Sequence, residues 1–393
     1  MSYDKFDAVI TRKLSGSTKW DDADTLFGAE DVLPLWVADM DFSSPPAVNE
    51  ALAERVRHGV FGYPSPRAYA WYAVSDWLQS RHNWQTKPEW MVSTPGVVAA
   101  ITLAVQTFSE PNDKIIIQPP VYPPFFSSVA NSNRIVLENP LLYEDGEYRM
   151  DFTDLAAKAA EAKLLILCNP HNPVGRVWTR AELAKLAEIC RENNVLILSD
   201  EIHGDLVYAG HKYIPLGSLD SGIADRIITL TAPSKTFNTA GLYTSIAIIP
   251  DKKLRSQFAK TVQQLSINKC NVFGITALEA AYRHGGPWLD ELLTYLKGNA
   301  EYLTEYITAN IPAIKVAKPQ GTYLAWLDCR ALNLSQPELV KFFGQKARVG
   351  LNDGATFGKQ GIGFMRLNFG CPRSILAEAL ERISQAVKQL GQA

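Results

Sequence analysis

The sequence predicts an α/β protein with a mostly parallel central sheet flanked by helices, followed by a smaller α+β domain. The clearest observation is a strand–helix–strand unit, in which the apolar stretches 164–167 and 195–198 flank a helix opened by a capping box at 179–182. A crossover of this size makes its two strands parallel. Two further β-branched stretches, 114–118 and 227–230, have the continuous apolar character of strands that are buried on both faces.

Length and composition are those of an ordinary globular protein. The chain has 393 residues, enough for two or three domains, and is 47% hydrophobic and 20% charged. Its 39 basic and 41 acidic residues form no basic stripe, so we expect no nucleic-acid partner. The N-terminus is charged and no apolar stretch approaches the ~18 residues of a membrane span, which predicts a cytoplasmic protein without a membrane partner. Five scattered cysteines without a C-x-x-C pair argue against a disulfide framework and a zinc site, and no metal is expected.

The predicted elements begin with an irregular segment. Residues 1–48 are assigned to the small domain and contain a short strand at 35–38. A helix that opens at the prolines of 43–46 ends near Gly59, since proline is favoured in a first helical turn. A second helix is predicted at 67–82.

The large domain, predicted at 49–285, alternates strands with helices. Its predicted strands are 90–92, 114–118, 134–137, 164–167, 195–198, 227–230 and 245–249. The further helices predicted in it are 97–108, 154–162 and 183–190. A Gly-Gly-Pro sequence near 285 marks the start of the small C-terminal domain, 286–393. The elements predicted there are a helix at 287–309, strands at 314–316, 322–327, 348–351 and 363–368, and a closing helix at 373–390.

Polar residues follow four of the predicted parallel strands, where open α/β sheets bind their ligands. They are Tyr122, Asn172, the pair Asp200 and His203, and Lys235. Burial at such a strand end lowers the pKa of a lysine and frees its amine for Schiff-base chemistry. Each residue alone has an ordinary alternative, because a lysine is usually on the surface and an asparagine usually belongs to a turn.

Together these side chains are suited to pyridoxal phosphate. An aspartate can keep a ring nitrogen protonated, an aromatic can stack on the ring, an asparagine and a histidine can bond its hydroxyl, and a lysine can form the imine. Gly96 and Val97 lie at a predicted helix start, whose free backbone N–H groups suit a phosphate. The hydroxyls of Ser234 and Thr231 add possible donors.

Three motifs resemble those of fold-type I pyridoxal-phosphate enzymes, in the class I/II aminotransferase superfamily. They are Asn169-Pro-His-Asn-Pro-Val-Gly175, Ser199-Asp-Glu-Ile-His203 and Ala232-Pro-Ser-Lys-Thr-Phe-Asn-Thr-Ala-Gly-Leu242. Four further segments resemble the bacterial cystathionine β-lyase/cysteine-S-conjugate β-lyase group, which also includes a modulator of maltose-gene expression. These segments are 33–42, 58–64, 320–328 and 365–373. The resemblance covers almost the whole chain in motif order and spacing.

The resemblance implies a role for each matched residue. Lys235 would be the Schiff-base lysine, Asp200 the partner of the pyridine nitrogen, and Tyr122 the aromatic stacked on the ring. Asn172 would bond the ring hydroxyl and the substrate carboxylate, and Arg366 would clamp that carboxylate through its planar guanidinium.

The resemblance also implies a homodimer and shows two departures. Tyr63 matches the tyrosine that reaches the cofactor phosphate of the neighbouring subunit. His203 stands where aminotransferases usually have a tyrosine, and Tyr243 stands where they usually have a phosphate-binding arginine. We therefore expect less positive charge near the phosphate than in those enzymes.

Three functions remain open from the sequence. The resemblance favours α,β-elimination from L-cystathionine and related L-cysteine S-conjugates, which gives a thiol, pyruvate and ammonia. An aminotransferase would need the same lysine, so the lysine motif does not separate the two. A regulatory protein that binds a transcription factor is the alternative from another class, and it would act through a protein partner because the sequence has no DNA-binding motif.

Overall fold

The computed structural model describes residues 4–65, 68–144, 146–219 and 222–391. In chain order the strands are β1 (Leu33–Pro34), β2 (Met91–Thr94), β3 (Lys114–Ile117), β4 (Ile135–Glu138), β5 (Leu142–Glu144), β6 (Glu147–Arg149), β7 (Ala162–Cys168), β8 (Leu196–Asp200), β9 (Ile227–Thr231), β10 (Ser245–Ile248), β11 (Lys315–Val316), β12 (Leu324–Asp328), β13 (Val349–Gly350), β14 (Asn352–Asp353) and β15 (Phe364–Asn368). The α-helices are α1 (Asp4–Asp7), α2 (Thr18–Asp21), α3 (Ala23–Phe27), α4 (Pro46–His58), α5 (Ala68–His82), α6 (Val97–Phe108), α7 (Pro123–Ala130), α8 (Phe152–Ala159), α9 (Arg180–Glu192), α10 (Pro233–Thr236), α11 (Lys252–Gln264), α12 (Val272–His284), α13 (Gly286–Asn310), α14 (Gln336–Lys341) and α15 (Arg373–Leu390).

A seven-stranded sheet forms the centre of the fold, in the order β2-β10-β9-β8-β7-β3-β4. Strands β9, β8, β7, β3 and β4 pair in parallel, and β10 runs antiparallel to both β9 and β2. The predicted mostly parallel sheet is thereby confirmed. Because β7, β8 and β9 lie in the middle and run the same way, their carboxyl ends meet at one edge of the sheet.

Helices cover both faces of this sheet, as the uninterrupted apolar sequence of its strands requires. One core contains Val97 and Ile101 of α6, Phe125 of α7 and Phe258 of α11. The core on the opposite face contains Leu183 and Leu186 of α9, among others. The capping box at the start of α9 forms as predicted, with Thr179 accepting from the Glu182 N–H and the Glu182 carboxylate accepting from the Thr179 N–H.

A smaller four-stranded antiparallel sheet, in the order β11-β12-β15-β14, follows the long helix α13. It shares a third apolar core with α13, α15 and the helices α4, α5 and α12. The predicted domain boundaries at 48 and 285 stay predictions.

Among the described residues, no helix is both long and apolar enough to cross a membrane.

Several predicted elements differ from the structure. The strand predicted at 35–38 is replaced by β1, because side chains from elsewhere bond the carbonyls of Trp36, Val37 and Ala38 in place of a neighbouring strand. The strand predicted at 348–351 is shorter in the structure, where it forms β13. This strand pairs with β1 and is not part of the small sheet. The β5–β6 hairpin was missed, and the predicted first residue of the helix at 67–82 lies outside the described residues.

Candidate active site

A cavity of about 970 Å³ opens at the carboxyl edge of the central sheet. Asn172 follows β7, Asp200 ends β8 with His203 three residues later, and Lys235 lies on α10 directly after β9. All four line this cavity. The sheet topology explains their meeting, because each follows a strand that is parallel to its neighbour.

Lys235 is positioned by the short helix α10, which begins at Pro233. Its Nζ donates to the carbonyl oxygen of Ala38 at 2.6 Å. Burial lowers the pKa of Lys235 to about 8; the nearby carboxylates of Asp39 and Asp200 oppose this shift and the Arg366 cation reinforces it. About a tenth of the amine is therefore unprotonated and nucleophilic at pH 7.

Asp200 and His203 are both buried, and their environment disfavours charge on either side chain. Burial raises the pKa of Asp200 to about 7, although the Ile202 N–H, at 3.2 Å from Oδ1, and the Lys235 cation oppose the rise. Burial lowers the pKa of His203 to about 3, with the cations of Lys235 and Arg366 adding to the effect. The neutral His203 ring has no hydrogen-bond partner at Nδ1 within the described part of the chain.

Arg366 reaches the same place from β15 in the small sheet. It is 4% exposed, and its guanidinium donates to Asn172 Oδ1 at 3.2 Å, to the Trp36 carbonyl at 2.7 Å and to Asn352. No carboxylate pairs with it in the described ranges, and its buried Nε has no partner there. Burial lowers the pKa of Arg366 to about 10. A buried cation without a counter-ion favours an anionic ligand, since its charge is otherwise uncompensated.

Tyr122 caps the start of α7 and lines the cavity half-buried, with its ring 6.1 Å from that of Phe125. Burial raises the pKa of Tyr122, so its phenol stays protonated, although the Arg366 cation opposes this rise. The ring is available as an aromatic surface at the cavity wall.

The first turn of α6 also lines the cavity and carries backbone N–H groups that lack a partner within the helix. Gly96, Val97 and Val98 line it, as does Ser234. Gly96 has a φ of +118°, which glycine adopts readily. Its N–H already donates to Ser245 Oγ at 3.1 Å, so the prediction of a free N–H is wrong for Gly96.

Two of the residues singled out from the sequence lie apart from this cavity. Tyr63 is 90% exposed and lies under Lys269, whose Nζ is 4.4 Å from the ring centroid. The Thr231 hydroxyl pairs with Tyr282. Neither lines the cavity.

One wall of the cavity is the strap, which we define as residues 36–42 and whose contacts were not predicted from the sequence. Asn238 Nδ2 donates to the carbonyls of Met40 at 2.9 Å and Phe42 at 2.8 Å, and its Oδ1 accepts from the Met40 N–H. Asn368 donates to the carbonyls of Val37 and Asp39, both at 2.6 Å. The strap therefore forms a wall of the cavity that is held by side chains distant in sequence.

Charged residues anchor the strap to the N-terminal segment. The buried Lys19 Nζ is 2.8 Å from Asp41 Oδ2, and the Arg12 guanidinium contacts Asp41 at 2.6 Å and Asp39 at 2.9 Å. Burial alone would raise the pKa of Asp39, but Arg12 and Lys19 hold it below its usual value. The two closely spaced aspartates of the strap were a usable sequence signal.

The sequence of the chain matches a known family model over residues 30–383, that of aminotransferase class I and II. The chain belongs to the aminotransferase class I and II family. This match confirms the superfamily resemblance stated from the motifs.

Among curated relatives, cystathionine beta-lyase PatB of Bacillus subtilis is 47% identical over 384 residues, covering 97% of this chain and 99% of PatB. Protein MalY of Escherichia coli is 34% identical, covering 98% of each chain. Among solved structures, cystalysin from Treponema denticola, which contains a pyridoxal 5'-phosphate cofactor, superposes with a TM-score of 0.96 at 39% identity, covering 99% of this chain and 100% of cystalysin. The similarity to these proteins confirms the predicted resemblance to the cystathionine β-lyase group.

The residues of this family member fit pyridoxal phosphate. The cavity is lined by a buried carboxyl, a desolvated amine, the start of helix α6 and an imidazole whose Nδ1 has no partner among the described residues. Asp200 and His203 would hold the ring, Lys235 would bind it covalently, and Val97 and Ser234 would face its phosphate.

Proposed function

We propose that the protein is a pyridoxal-phosphate-dependent carbon–sulfur lyase that cleaves L-cystathionine and related L-cysteine S-conjugates. The observation that carries this proposal is the similarity to cystathionine beta-lyase PatB along 97% of the chain. The site supports it, because an uncompensated buried arginine adjoins an amine with a lowered pKa.

Each side chain has a defined task in α,β-elimination. Arg366 and Asn172, which are already 3.2 Å apart, bind the α-carboxylate of the substrate. When bound, pyridoxal phosphate supplies an electron sink for negative charge at the substrate Cα. The unprotonated Nζ of Lys235 receives the Cα proton, for which its pKa of about 8 is suited. Asp200 would keep the ring nitrogen protonated.

The overall reaction balances with one water. The Cβ–S bond breaks, the sulfur leaves as thiolate and takes a proton, and the remaining three-carbon unit is hydrolysed to pyruvate and ammonium. No oxidant or reductant is consumed.

The decisive experiment follows two products. The purified holoenzyme is given L-cystathionine, and pyruvate and free thiol are measured, with and without an added 2-oxo acid. We expect equal amounts of pyruvate and thiol, independent of the oxo acid. Transamination that requires the oxo acid, without thiol release, would establish the aminotransferase instead.

Arg366→Lys is expected to raise KM for L-cystathionine by about ten- to a hundredfold, with a smaller change in kcat. Lysine keeps the positive charge but loses the planar fork that binds a carboxylate through two hydrogen bonds. Steady-state kinetics measures both constants. Arg330→Lys is the matched control, because Arg330 pairs with Asp328 at 56% side-chain exposure, outside the cavity. An unchanged KM in Arg366→Lys would remove Arg366 from substrate binding.

We also propose a homodimer in which Tyr63 completes the site of the partner subunit. Apolar side chains near it in sequence are exposed to solvent, including Val60 at 64%, Phe61 at 53% and Tyr69 at 62%. Exposed apolar side chains of this kind favour association with another protein surface. A two-fold axis would place these residues of each subunit against the other subunit.

A cytoplasmic location is proposed as well, because the five cysteines are all free and buried.

Mixing two inactive variants tests the role of Tyr63 across subunits. Lys235→Ala and Tyr63→Ala are unfolded together, refolded and assayed. If Tyr63 contributes to the site of the partner subunit, each hybrid dimer has one intact site and one inactive site. Random pairing makes about half of the dimers hybrids, so the mixture should have about a quarter of the wild-type activity. If Tyr63 serves its own subunit, the mixture stays as inactive as its components.

A further inference from the structure

Few cationic side chains of this chain are available to a phosphate in the cavity. In the described ranges, Arg12 and Lys235 line the cavity, and Arg366, which contacts the lining residue Asn172, is assigned to the substrate carboxylate. Arg12 is committed to Asp39 and Asp41, at 2.9 and 2.6 Å. Lys235 donates to the Ala38 carbonyl and is reserved for covalent chemistry. A phosphate at the start of α6 therefore needs other donors.

Tyr243 is held in an unusual backbone conformation beside that helix start. It has φ 44° and ψ 56°, in the left-handed region that bulky residues rarely adopt. The other described non-glycine residues with positive φ are mostly asparagines, and Tyr243 is the one aromatic among them. Strained backbone that persists at a cavity wall is an indication of function.

The surrounding strands fix Tyr243 next to α6. Two residues after it, Ser245 begins β10 and pairs with Thr94, the last residue of β2. The Ser245 hydroxyl is 2.7 Å from Thr94 Oγ1 and accepts from the Gly96 N–H at 3.1 Å. The turn at Tyr243 is thus joined by hydrogen bonds to the residue that caps α6.

The side chain of Tyr243 is available to a ligand. It lines the same cavity as Val97, Val98 and Ser234, and it is 69% exposed. Its hydroxyl makes no hydrogen bond within the described residues. A phenol is both donor and acceptor, and as a donor it suits a phosphate oxygen.

We propose that the Tyr243 hydroxyl donates a hydrogen bond to the phosphate of pyridoxal phosphate, as part of an anion site built from neutral donors. The other members are the backbone N–H groups of Val97 and Val98 and the hydroxyl of Ser234. The helix α6 supplies its partial positive charge in place of a side-chain cation.

The proposal is tested by measuring the dissociation constants of pyridoxal phosphate and of pyridoxal, which lacks the phosphate, for the cofactor-free full-length protein. Absorbance titration gives both. Tyr243→Phe is expected to weaken pyridoxal phosphate binding about tenfold, as loss of a hydrogen bond to a charged group does, and to leave pyridoxal binding unchanged. Tyr243→Arg is expected to tighten pyridoxal phosphate binding and to make it more sensitive to salt.

Tyr306→Phe is the matched control, because it removes a phenol that bonds Glu381 on α15, outside the cavity. Its dissociation constants are expected to equal those of the wild type. Equal binding of pyridoxal phosphate by Tyr243→Phe and wild type would overturn the proposal, as would an equal loss for pyridoxal. Circular dichroism verifies that each variant is folded. The test does not depend on the reaction, so a failure of the lyase proposal leaves its outcome intact.

Discussion

Lys235→Ala is expected to lower pyruvate formation from L-cystathionine by about two to four orders of magnitude, the range lost when a general acid–base group is removed. The same change would remove the proposed covalent attachment point of the cofactor. The fold should persist, because the one hydrogen bond of Lys235 Nζ in the described residues is to the Ala38 carbonyl. Pyridoxal phosphate should still bind, through the remaining contacts of the cavity.

Borohydride reduction distinguishes the loss of covalent cofactor attachment from the loss of catalytic activity. In the wild type, reduction should fix the cofactor to the peptide that contains Lys235, which mass spectrometry identifies. In Lys235→Ala, no peptide should carry it. Lys185→Ala is the control, because Lys185 lies on α9 and pairs with Glu188 at the surface. Cofactor fixed to a different lysine, or activity near that of the wild type, would show that another residue performs the chemistry.

Asp200→Asn is expected to affect activity and stability in opposite directions. Activity should fall by several orders of magnitude, because asparagine cannot keep the ring nitrogen protonated. The cofactor-free protein should become more stable at neutral pH, because the cost of burying the Asp200 carboxylate exceeds what the Ile202 N–H and the Lys235 cation offset. The amide oxygen of asparagine can still accept from the Ile202 N–H, so the local backbone contact is retained.

The sign of the pH dependence follows from the raised pKa. Asp200 titrates at about 7 in the folded chain against 3.8 in the unfolded chain, so between these values the folded state binds more protons. The free energy of unfolding of the cofactor-free wild type therefore falls as pH rises from about 4 to 7. The whole loss is on the order of 4 kcal/mol from this group. Asp200→Asn should lack this loss, and urea unfolding across that pH range measures the difference.

Asp205→Asn is a control with the opposite expectation. Burial alone would raise the pKa of Asp205, but hydrogen bonds from His82 at 2.6 Å, Trp77 and Thr236 hold it below its usual value. Its charged form is the stable one in the fold, so Asp205→Asn should destabilise the protein at neutral pH. If Asp200→Asn also destabilised the cofactor-free protein there, the carboxyl of Asp200 would have a structural partner instead of a cofactor role.

The central sheet and the residues at its strand ends were predictable because their signals are local. The β7–α9–β8 unit is specified within about 40 residues by apolar runs and a capping box, and Asn172, Asp200 and Lys235 each follow such a run directly. Arg366 was named by resemblance alone, since nothing in its own segment indicates that its side chain contacts Asn172 at the edge of the other sheet.

The contacts of the strap could not be predicted, because its two aspartates do not identify partners that are distant in sequence. The bond between Lys235 and the Ala38 carbonyl spans 197 residues, and that between Arg366 and the Trp36 carbonyl spans 330. The apolar run at 35–38 fits a strand equally well, and only tertiary structure decides what bonds its backbone. The antiparallel direction of β10 was missed for a similar reason, because strand direction depends on the connection and not on composition.

The strap has a consequence for how sequence variation is interpreted at this site. Lys235 and Arg366 bond carbonyl oxygens of the strap, and every amino acid carries that oxygen. Substitutions at Trp36 or Ala38 thus leave the acceptors in place, so a mutational scan of these two positions would understate what the segment does. The contribution of the strap to the site becomes measurable at Asp41, because the Asp41 side chain holds the backbone of the strap in position through its ion pair with Lys19. A chain can therefore diversify along the strap while it keeps the same contacts to its reactive groups.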